Sequence, residues 1–170
     1  MEHHGCELDI PLPEIRVEKA NPTYAQILLN DYAGKNGELS AITQYFYQYF
    51  ITKYQYEDFA KDLECISISE MKHMEQLGQL IVLLGGNPLL RTINCGRNTF
   101  WCGNNISSTQ NIRKFLYENI KAEKIAIQNY RLHISQIQDC YVRAVLERII
   151  KDEEHHISIF NNYLNYFNGH

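Results

Sequence analysis

Four long stretches of the sequence repeat apolar residues at alternating steps of three and four, the spacing of one face of an α-helix. These stripes predict helices over about 38–54, 57–84, 109–136 and 140–165, after a first helical stretch over 21–33. Asn21-Pro22 is a typical helix start, and Gly34 to Gly37 either breaks or weakens this first helix. We therefore expect an all-α chain, a four-helix bundle with one long crossover, about 87–108, between its second and third helices.

Each stripe is apolar except at one place, where a carboxylate interrupts it. The interrupting residues are Glu38, Glu70, Glu123 and Glu153, and on two stripes a histidine follows three residues later, His73 and His156. Buried carboxylates need a compensating charge, and no Lys or Arg occupies a stripe position. Two divalent cations would supply it, and one Glu from each of two helices with Glu-x-x-His from the others is a known dinuclear ligand set. We predict that these six residues bind two Fe or two Mn ions, or one of each.

The stripes also separate neighbouring candidates. The run Asp152–His156 contains two acidic-x-x-His pairs, and only Glu153 with His156 lies on the stripe. On the third helix Glu123 lies on the stripe and Glu118 does not. The competing interpretation is a solvated charged seam or a core ion-pair network, which would make the chain a metal-free helical interaction module.

Other residues near these positions have weaker support. Tyr45 and Tyr130 follow Glu38 and Glu123 by seven residues, about two helical turns, so each is a candidate redox participant or a core residue hydrogen-bonded to the site. Asp152 is a candidate for orienting a ligand histidine from behind, with a solvated helix face as the alternative. His3, His4, His133, His155 and His170 show no stripe pattern and receive no role.

Composition excludes several classes of protein. The formal net charge of −4 gives no basic footprint for nucleic acid, and no apolar run is long enough to span a membrane. Residues 1–20, with Pro11 and Pro13, predict an irregular N-terminal extension to a bundle domain over 21–170. The start has no signal-peptide pattern, so we expect a cytoplasmic protein.

The chain has five cysteines and no C-x-x-C pair, which leaves a zinc ribbon or rubredoxin-type site unsupported. For a cytosolic protein we expect reduced thiols. The pair of Cys95 and Cys102 in the crossover is the exception, since it could form a redox disulfide, with free thiols or loop-fixing cysteines as the alternatives.

Several segments resemble a known family. Residues 37–46 are similar to the first-helix motif of bacterioferritins, 69–73 to their second-helix motif and 150–157 to their fourth, while 122–130 follow the wider ferritin-like pattern. The resemblance implies the same six metal ligands. It also implies that Met71, directly after Glu70, is a candidate haem ligand at a dimer interface, although the same string occurs in non-haem relatives.

The sequence departs from bacterioferritins in three places. Only 14 residues follow His156, too few for the further helix that helps to build a 24-subunit cage, so we expect a homodimer or small homo-oligomer instead. The long crossover and the N-terminal extension are also compatible with manganese-catalase-like relatives. The extra module and helix-three glutamate of rubrerythrins are not evident.

Together these features predict a dimetal oxidoreductase that acts on O2 or H2O2. Ferroxidase-like oxidation of Fe²⁺ is the first choice, with Glu70 and Glu153 bridging the metals and Glu38 and Glu123 terminal. The alternatives are manganese-catalase-like disproportionation of peroxide and an iron storage or binding protein with little turnover.

Overall fold

The structure is a computed structural model, and it describes residues 5–94 and 97–169, apart from the side chain of Asn94. Within this part of the chain lie five α-helices: α1 (Pro22–Ala33), α2 (Glu38–Thr52), α3 (Glu57–Leu83), α4 (Ile112–Gln136) and α5 (Cys140–Asn168). Short turns join α2 to α3 and α4 to α5, and these two pairs pack closely together. Both α1 and α2 pack on α3, so together they form the first helix of a four-helix bundle. The all-α bundle with its crossover between the second and third helices is confirmed.

The break between α1 and α2 fixes where the first candidate ligand stands. Ser40 Oγ donates to the carbonyl of Gly34 at 3.1 Å and closes the turn. Gly37 lies so close to α1 that a Cβ there would come within 2.3 Å of the carbonyl oxygen of Asp31, and only glycine avoids this clash. The four residues between the helices therefore break the helix outright and place Glu38 at the first position of α2.

Side-chain caps start three of the helices. Asn21 accepts from the amides of Thr23 and Tyr24, with Pro22 at the first helical position, as the sequence predicts. Asn111 caps α4 and Asp139 caps α5 in the same way. Asp139 also accepts from the amide of Glu18 at 2.6 Å, which attaches the N-terminal segment to the start of α5.

The core consists of two apolar clusters with a polar layer between them. One cluster contains Leu77 of α3, Ile127 of α4 and Ile149 of α5, and the other contains Ile66, Ile120 and Phe160 of the same helices. On each helix the candidate ligands lie between a residue of one cluster and a residue of the other. The polar layer is therefore enclosed by apolar packing above and below.

The crossover between α3 and α4 contains structure that the sequence analysis missed. Strands β1 (Arg91–Asn94) and β2 (Arg97–Phe100) form an antiparallel hairpin with Arg91 opposite Phe100, and a 3₁₀ helix, Gly103–Asn105, follows. The strands have four residues each, and β2 is exposed throughout. The sequence therefore lacks the alternation of apolar and polar residues by which a strand is predicted. Cys102 is exposed and has a free thiol, which corresponds to the free-thiol alternative and not to the disulfide. Cys95 lies outside the described residues.

The N-terminal segment corrects the prediction of reduced thiols. Cys6 and Cys65 form a disulfide with a Cα–Cα distance of 5.8 Å across a sequence separation of 59. Irregular chain from residue 5 to 20 runs along α5 and brings Cys6 to α3, and no local sequence pattern reports such a long-range approach. Arg148 of α5 donates to the carbonyls of Leu8 and Ile10 and fastens the segment. None of the helices in the described part of the chain is long and apolar enough to cross a membrane.

Candidate metal centre

The six residues predicted as metal ligands come together in the polar layer. Their ligand atoms form two overlapping sets, each within 4.8 Å: Glu38, Glu70, His73 and Glu153 in one, and Glu70, Glu123, Glu153 and His156 in the other. All six side chains are buried, with at most 3 % of any residue exposed. Glu70 and Glu153 belong to both sets, which is the position of bridging carboxylates.

The distances divide the centre into two halves around the shared glutamates. His73 Nδ1 lies 2.8 Å from Glu70 Oε2 and 3.5 Å from Glu153 Oε1. His156 Nδ1 lies 3.0 Å from Glu70 Oε1 and 3.0 Å from Glu153 Oε2. We call Glu38 with His73 the His73 half, and Glu123 with His156 the His156 half. Both imidazoles direct the same nitrogen, Nδ1, at the two shared carboxylates.

The polar chemistry of this layer fits a pair of cations. Four carboxylates and two imidazoles face one another, and no Lys or Arg side chain forms an ion pair with them among the described residues. Glu70 Oε1 is buried and makes no hydrogen bond, although His156 Nδ1 is near it. A buried carboxylate oxygen without a hydrogen bond is costly, and a metal ion would satisfy it. Nitrogen and oxygen ligands of this kind suit Mn or Fe.

A carboxylate holds His73 from behind. His73 Nε2 lies 3.1 Å from Asp152 Oδ2, and Arg148 Nη1 lies 2.5 Å from the same oxygen. With Nε2 donating to Asp152, Nδ1 of His73 carries the lone pair and points to the centre, as a ligand histidine needs. The structure thus places Asp152 where an orienting residue would act. Arg148 was not singled out from the sequence, although its i, i+4 spacing to Asp152 is visible there.

A backbone carbonyl holds His156. Its Nε2 lies 3.1 Å from the carbonyl oxygen of Cys6, which fixes the same tautomer as in His73. The carbonyl is held in place by the N-terminal segment and by the disulfide from Cys6 to Cys65. Sequence reasoning could not identify this contact, because any residue type can provide a carbonyl and Cys6 lies 150 residues away.

The two tyrosines contact the terminal glutamates crosswise. Tyr45 of α2 donates to Glu123 of α4, and Tyr130 of α4 donates to Glu38 of α2. Both hydroxyls are therefore directed at ligand carboxylates. Each bond also ties α2 to α4 across the centre.

Burial and like charge shift the acid–base properties of the centre. Burial raises the pKa of Glu38 and of Glu123 well above the ordinary glutamate value, and the shared carboxylates raise it further. Burial opposes charge on Glu70 as well, but the neighbouring imidazoles outweigh it and lower the pKa of Glu70. For His73 and His156 the surrounding carboxylates likewise outweigh burial and raise the pKa. Without cations the centre holds protons that bound metal would displace.

A cavity of about 490 Å³ leads from the surface to the centre between α2 and α4. Its inner lining includes Glu38, Glu123 and Glu153, and its outer lining includes the exposed Lys35 and Lys121. Small side chains from both helices and residues 105–107 of the crossover form the walls. A small solute can therefore reach the ligand carboxylates from solvent.

Met71, the candidate haem ligand, lies apart from this centre. Its side chain is on the outer face of α3 and is 45 % exposed. Glu118, which the stripe excludes, lines the outer cavity and is not among the clustered ligand atoms.

Comparisons with known proteins agree with the geometry. The sequence profile of the ferritin-like domain family matches residues 29–169. A probable manganese catalase of Clostridium acetobutylicum is 31 % identical over 171 residues, covering 89 % of this chain and 75 % of that protein. A bacterioferritin of Brucella melitensis is 28 % identical over 131 residues, covering 75 % of each chain.

A solved structure extends the likeness to the whole chain. The crystal structure of a manganese catalase from Anabaena superposes with a TM-score of 0.84 at 25 % identity, covering 99 % of this chain and 81 % of that one. The predicted resemblance to bacterioferritins with manganese-catalase features is confirmed, as is the ferritin-like bundle. The chain therefore belongs to the family of ferritin-like domain proteins.

Proposed function

We propose that the chain is a dimetal carboxylate oxidoreductase that disproportionates H2O2 at a pair of manganese ions. The observation that carries the proposal is the pair of buried ligand sets that share Glu70 and Glu153. Similarity to manganese catalases includes the N-terminal segment and the crossover, because the superposition covers 99 % of the chain. This extent favours manganese catalase chemistry over the ferroxidase reaction preferred from the sequence alone.

Each ligand has a distinct task in this proposal. Glu70 and Glu153 would contribute to both ligand sets, Glu38 and His73 would complete one set, and Glu123 and His156 would complete the other. The manganese pair supplies a two-electron change, so that one peroxide is reduced to water and a second is oxidised to O2. The cavity reaches the centre on the side of Glu38, Glu123 and Glu153, so the oxidant would approach from that side.

The surrounding residues bind, orient and move protons. Tyr45 and Tyr130 hold the terminal glutamates by their hydroxyl donors. The apolar clusters on both sides keep bulk water out of the layer. Glu38, Glu123 and Glu153 line the cavity, so their carboxylates are the groups nearest to an entering peroxide that could accept its protons.

Ferroxidase activity is the second candidate. The 28 % identity to a bacterioferritin favours it, and the same six ligands would hold iron as substrate, with O2 or H2O2 as oxidant. If the ligands bound iron but oxidised it with little turnover, the chain would be an iron storage or binding protein. Haem at Met71, a cytoplasmic location, and assembly into a homodimer or small homo-oligomer stay predictions.

Reconstitution distinguishes the candidates. Metal-free protein is loaded with Mn²⁺ or with Fe²⁺, and O2 release from H2O2 and the oxidation of added Fe²⁺ are measured side by side. We expect the manganese form to release one O2 for every two H2O2 consumed, and Glu70→Ala to release none. Catalytic oxidation of Fe²⁺, with no O2 release by either form, would contradict the catalase proposal and favour the ferroxidase.

A further inference from the structure

Two amide side chains, Gln48 of α2 and Asn119 of α4, bond to each other inside the bundle. Gln48 Nε2 donates to Asn119 Oδ1 at 2.9 Å, and Asn119 Nδ2 donates to Gln48 Oε1 at 2.6 Å. At most 1 % of either residue is exposed. A buried amide that lost its partner would be costly, so each side chain holds the other in place. We call these two residues the amide pair.

The amide pair lies one helical turn from the metal centre. On α2, Gln48 follows Tyr45 by three residues, and on α4, Asn119 precedes Glu123 by four. Tyr45 donates to Glu123, so side-chain hydrogen bonds join α2 to α4 at successive turns. The amide pair is therefore the next contact between these helices beyond the one that holds a candidate ligand.

The contacts between α2 and α4 cross a gap. Helix α2 packs closely on α3, and α4 packs closely on α5, whereas the backbones of α2 and α4 approach each other much less. The cavity that leads to the centre lies between them. Two of the contacts across this gap, from Tyr45 to Glu123 and from Tyr130 to Glu38, end on a candidate metal ligand. The amide pair contains no ligand, so it can fix the distance between the helices whether or not metal is bound.

We propose that Gln48 and Asn119 are positioning residues for the His156 half, which hold α4 at the distance from α2 that keeps Glu123 in its ligand set. The proposal rests on the proposed metal centre. The other three residues of that ligand set lie on α3 and α5, so a displacement of α4 would separate Glu123 from them. Glu38, which belongs to the other half, is about three turns from Gln48 and should be less affected.

Hydrogen bonds fix this distance in a way that apolar side chains of similar size would not. Apolar side chains pack with their heavy atoms about 4 Å apart, whereas the amide atoms of Gln48 and Asn119 lie 2.6 and 2.9 Å apart. Replacing both partners of a buried hydrogen bond by apolar groups of similar shape changes stability little. The double variant Gln48→Leu/Asn119→Leu should therefore fold, but with α4 displaced.

Metal binding by this double variant tests the proposal. Mn²⁺ titration followed by anomalous diffraction at the Mn edge measures the occupancy of each metal position. We expect about tenfold weaker binding in the His156 half and a smaller change in the His73 half. The matched control is Gln79→Leu/Asn161→Leu, which replaces the same residue types at exposed positions whose amides bond within their own helices. We expect the control to bind metal as wild type does.

An exchange of the two amides tests whether the hydrogen bonds themselves matter. Gln48→Asn/Asn119→Gln keeps the combined length of the pair and can form both hydrogen bonds again, so it should bind metal as wild type does. If the leucine variant binds metal in the His156 half as tightly as wild type and the control do, the proposal is wrong. Equal weakening of both halves would also overturn it, since the pair would then support the bundle as a whole.

These outcomes can be separated from failure of the proposed function. If loaded wild type releases no O2 from H2O2, the catalase proposal fails, but the metal occupancies still test the amide pair. If wild type binds no metal, crystal structures of the metal-free proteins test it instead. The contact between the Tyr45 hydroxyl and Glu123 should then be present in wild type and lost in the leucine variant, and its persistence there would overturn the proposal.

A second variant covers the case in which the leucine variant unfolds. Gln48→Asn shortens one amide by a methylene group, so the two amides can no longer meet as they do in wild type. We expect it to weaken metal binding in the His156 half, and adding Asn119→Gln to the same chain should restore it. Wild-type binding by Gln48→Asn alone would contradict the proposal.

Discussion

The two halves of the metal centre are built from different parts of the chain. In the His73 half, the histidine is held by Asp152 and through it by Arg148, so the support consists of side chains on α5. In the His156 half, the support is the carbonyl of Cys6, on a segment outside the bundle that a disulfide ties to α3. The side chains that hold His73 belong to the bundle and contact the N-terminal segment at Leu8 and Ile10, whereas the group that holds His156 is part of that segment.

Loss of the disulfide is expected to have the largest effect and to act more strongly on the His156 half, whose supporting carbonyl belongs to Cys6 itself. Closing a loop across 59 residues stabilises a folded chain by about 4 kcal/mol, so Cys6→Ser should lower the free energy of unfolding by about that amount. The carbonyl that orients His156 also becomes free to move. Urea unfolding measures the stability, and anomalous diffraction at the Mn edge measures the occupancy of each metal position.

The matched control for this variant is Cys140→Ser, which removes an exposed free thiol at the start of α5. We expect it to match wild type in stability and in both occupancies. If Cys6→Ser lowers the two occupancies equally, the halves are not independently supported.

Lowering the pH is expected to weaken metal binding in both halves equally. Each half has one terminal glutamate whose pKa burial raises well above the ordinary value, so both carboxyls keep their protons to higher pH than a free glutamate. Metal binding must displace these two protons and also those that the raised pKa keeps on His73 and His156, so affinity should fall by at least about a hundredfold per pH unit below the raised pKa values. Competition titration of Mn²⁺ against a chelator at several pH values measures this slope. A pH-independent affinity would contradict the protonated state of the centre.

The sequence predicted the six clustered residues because each interrupts an apolar stripe whose period is set by the helix. Glu123 and Glu153 were chosen over Glu118 and Asp152 by this period, and the clustered ligand atoms follow the choice, although Asp152 is buried as well. On two helices the buried position differs from the stripe by one residue, since His133 rather than Ile134 is buried on α4, and Gln48 rather than Tyr49 is buried on α2. A hydrogen bond from Gln48 Nε2 to Asn119 at 2.9 Å satisfies it, and a stripe of apolar residues does not show such a polar pair.

The features that the sequence did not show depend on contacts between distant segments. The disulfide, the carbonyl of Cys6 and the hairpin of the crossover have no periodic signal. His133 received no role, yet it is buried and lies 2.7 Å from Asp31, where it joins α4 to α1. Its partner is 102 residues away, and helical spacing reports only neighbours on the same helix.

Weakening the residue that supports His73, Asp152, is expected to have a smaller effect on metal binding. Asp152→Asn keeps the shape of the side chain but removes the charge that pairs with Arg148 and favours donation from His73 Nε2. Such supporting residues contribute about 10- to 100-fold in metal affinity, so the His73 half should lose metal by that factor while the His156 half keeps it. Glu154→Gln, which removes an exposed carboxylate that pairs with Arg131, is the control and should change neither half.

Replacing either tyrosine by phenylalanine should have the smallest effect on metal binding. The two variants test whether the halves can be weakened separately. Tyr130→Phe removes the donor to Glu38 in the His73 half, and Tyr45→Phe removes the donor to Glu123 in the His156 half. Loss of one hydrogen bond to a charged group should weaken metal binding in the affected half by about tenfold. Metal titration followed by anomalous diffraction measures this, with the exposed Tyr117→Phe as control. If both variants weaken the same half, the crosswise contacts do not act separately.

The central claim is that Glu70 and Glu153 join two metal positions into one centre, and metal content tests it most directly. Protein purified without added metal is analysed for Mn and Fe beside Glu70→Ala, with helical content and unfolding measured on both. We expect about two ions per wild-type chain and loss of both from the variant, since Glu70 belongs to both ligand sets. Only trace metal in the wild type, with Glu70→Ala equally stable, would contradict a dimetal centre and leave a metal-free helical module.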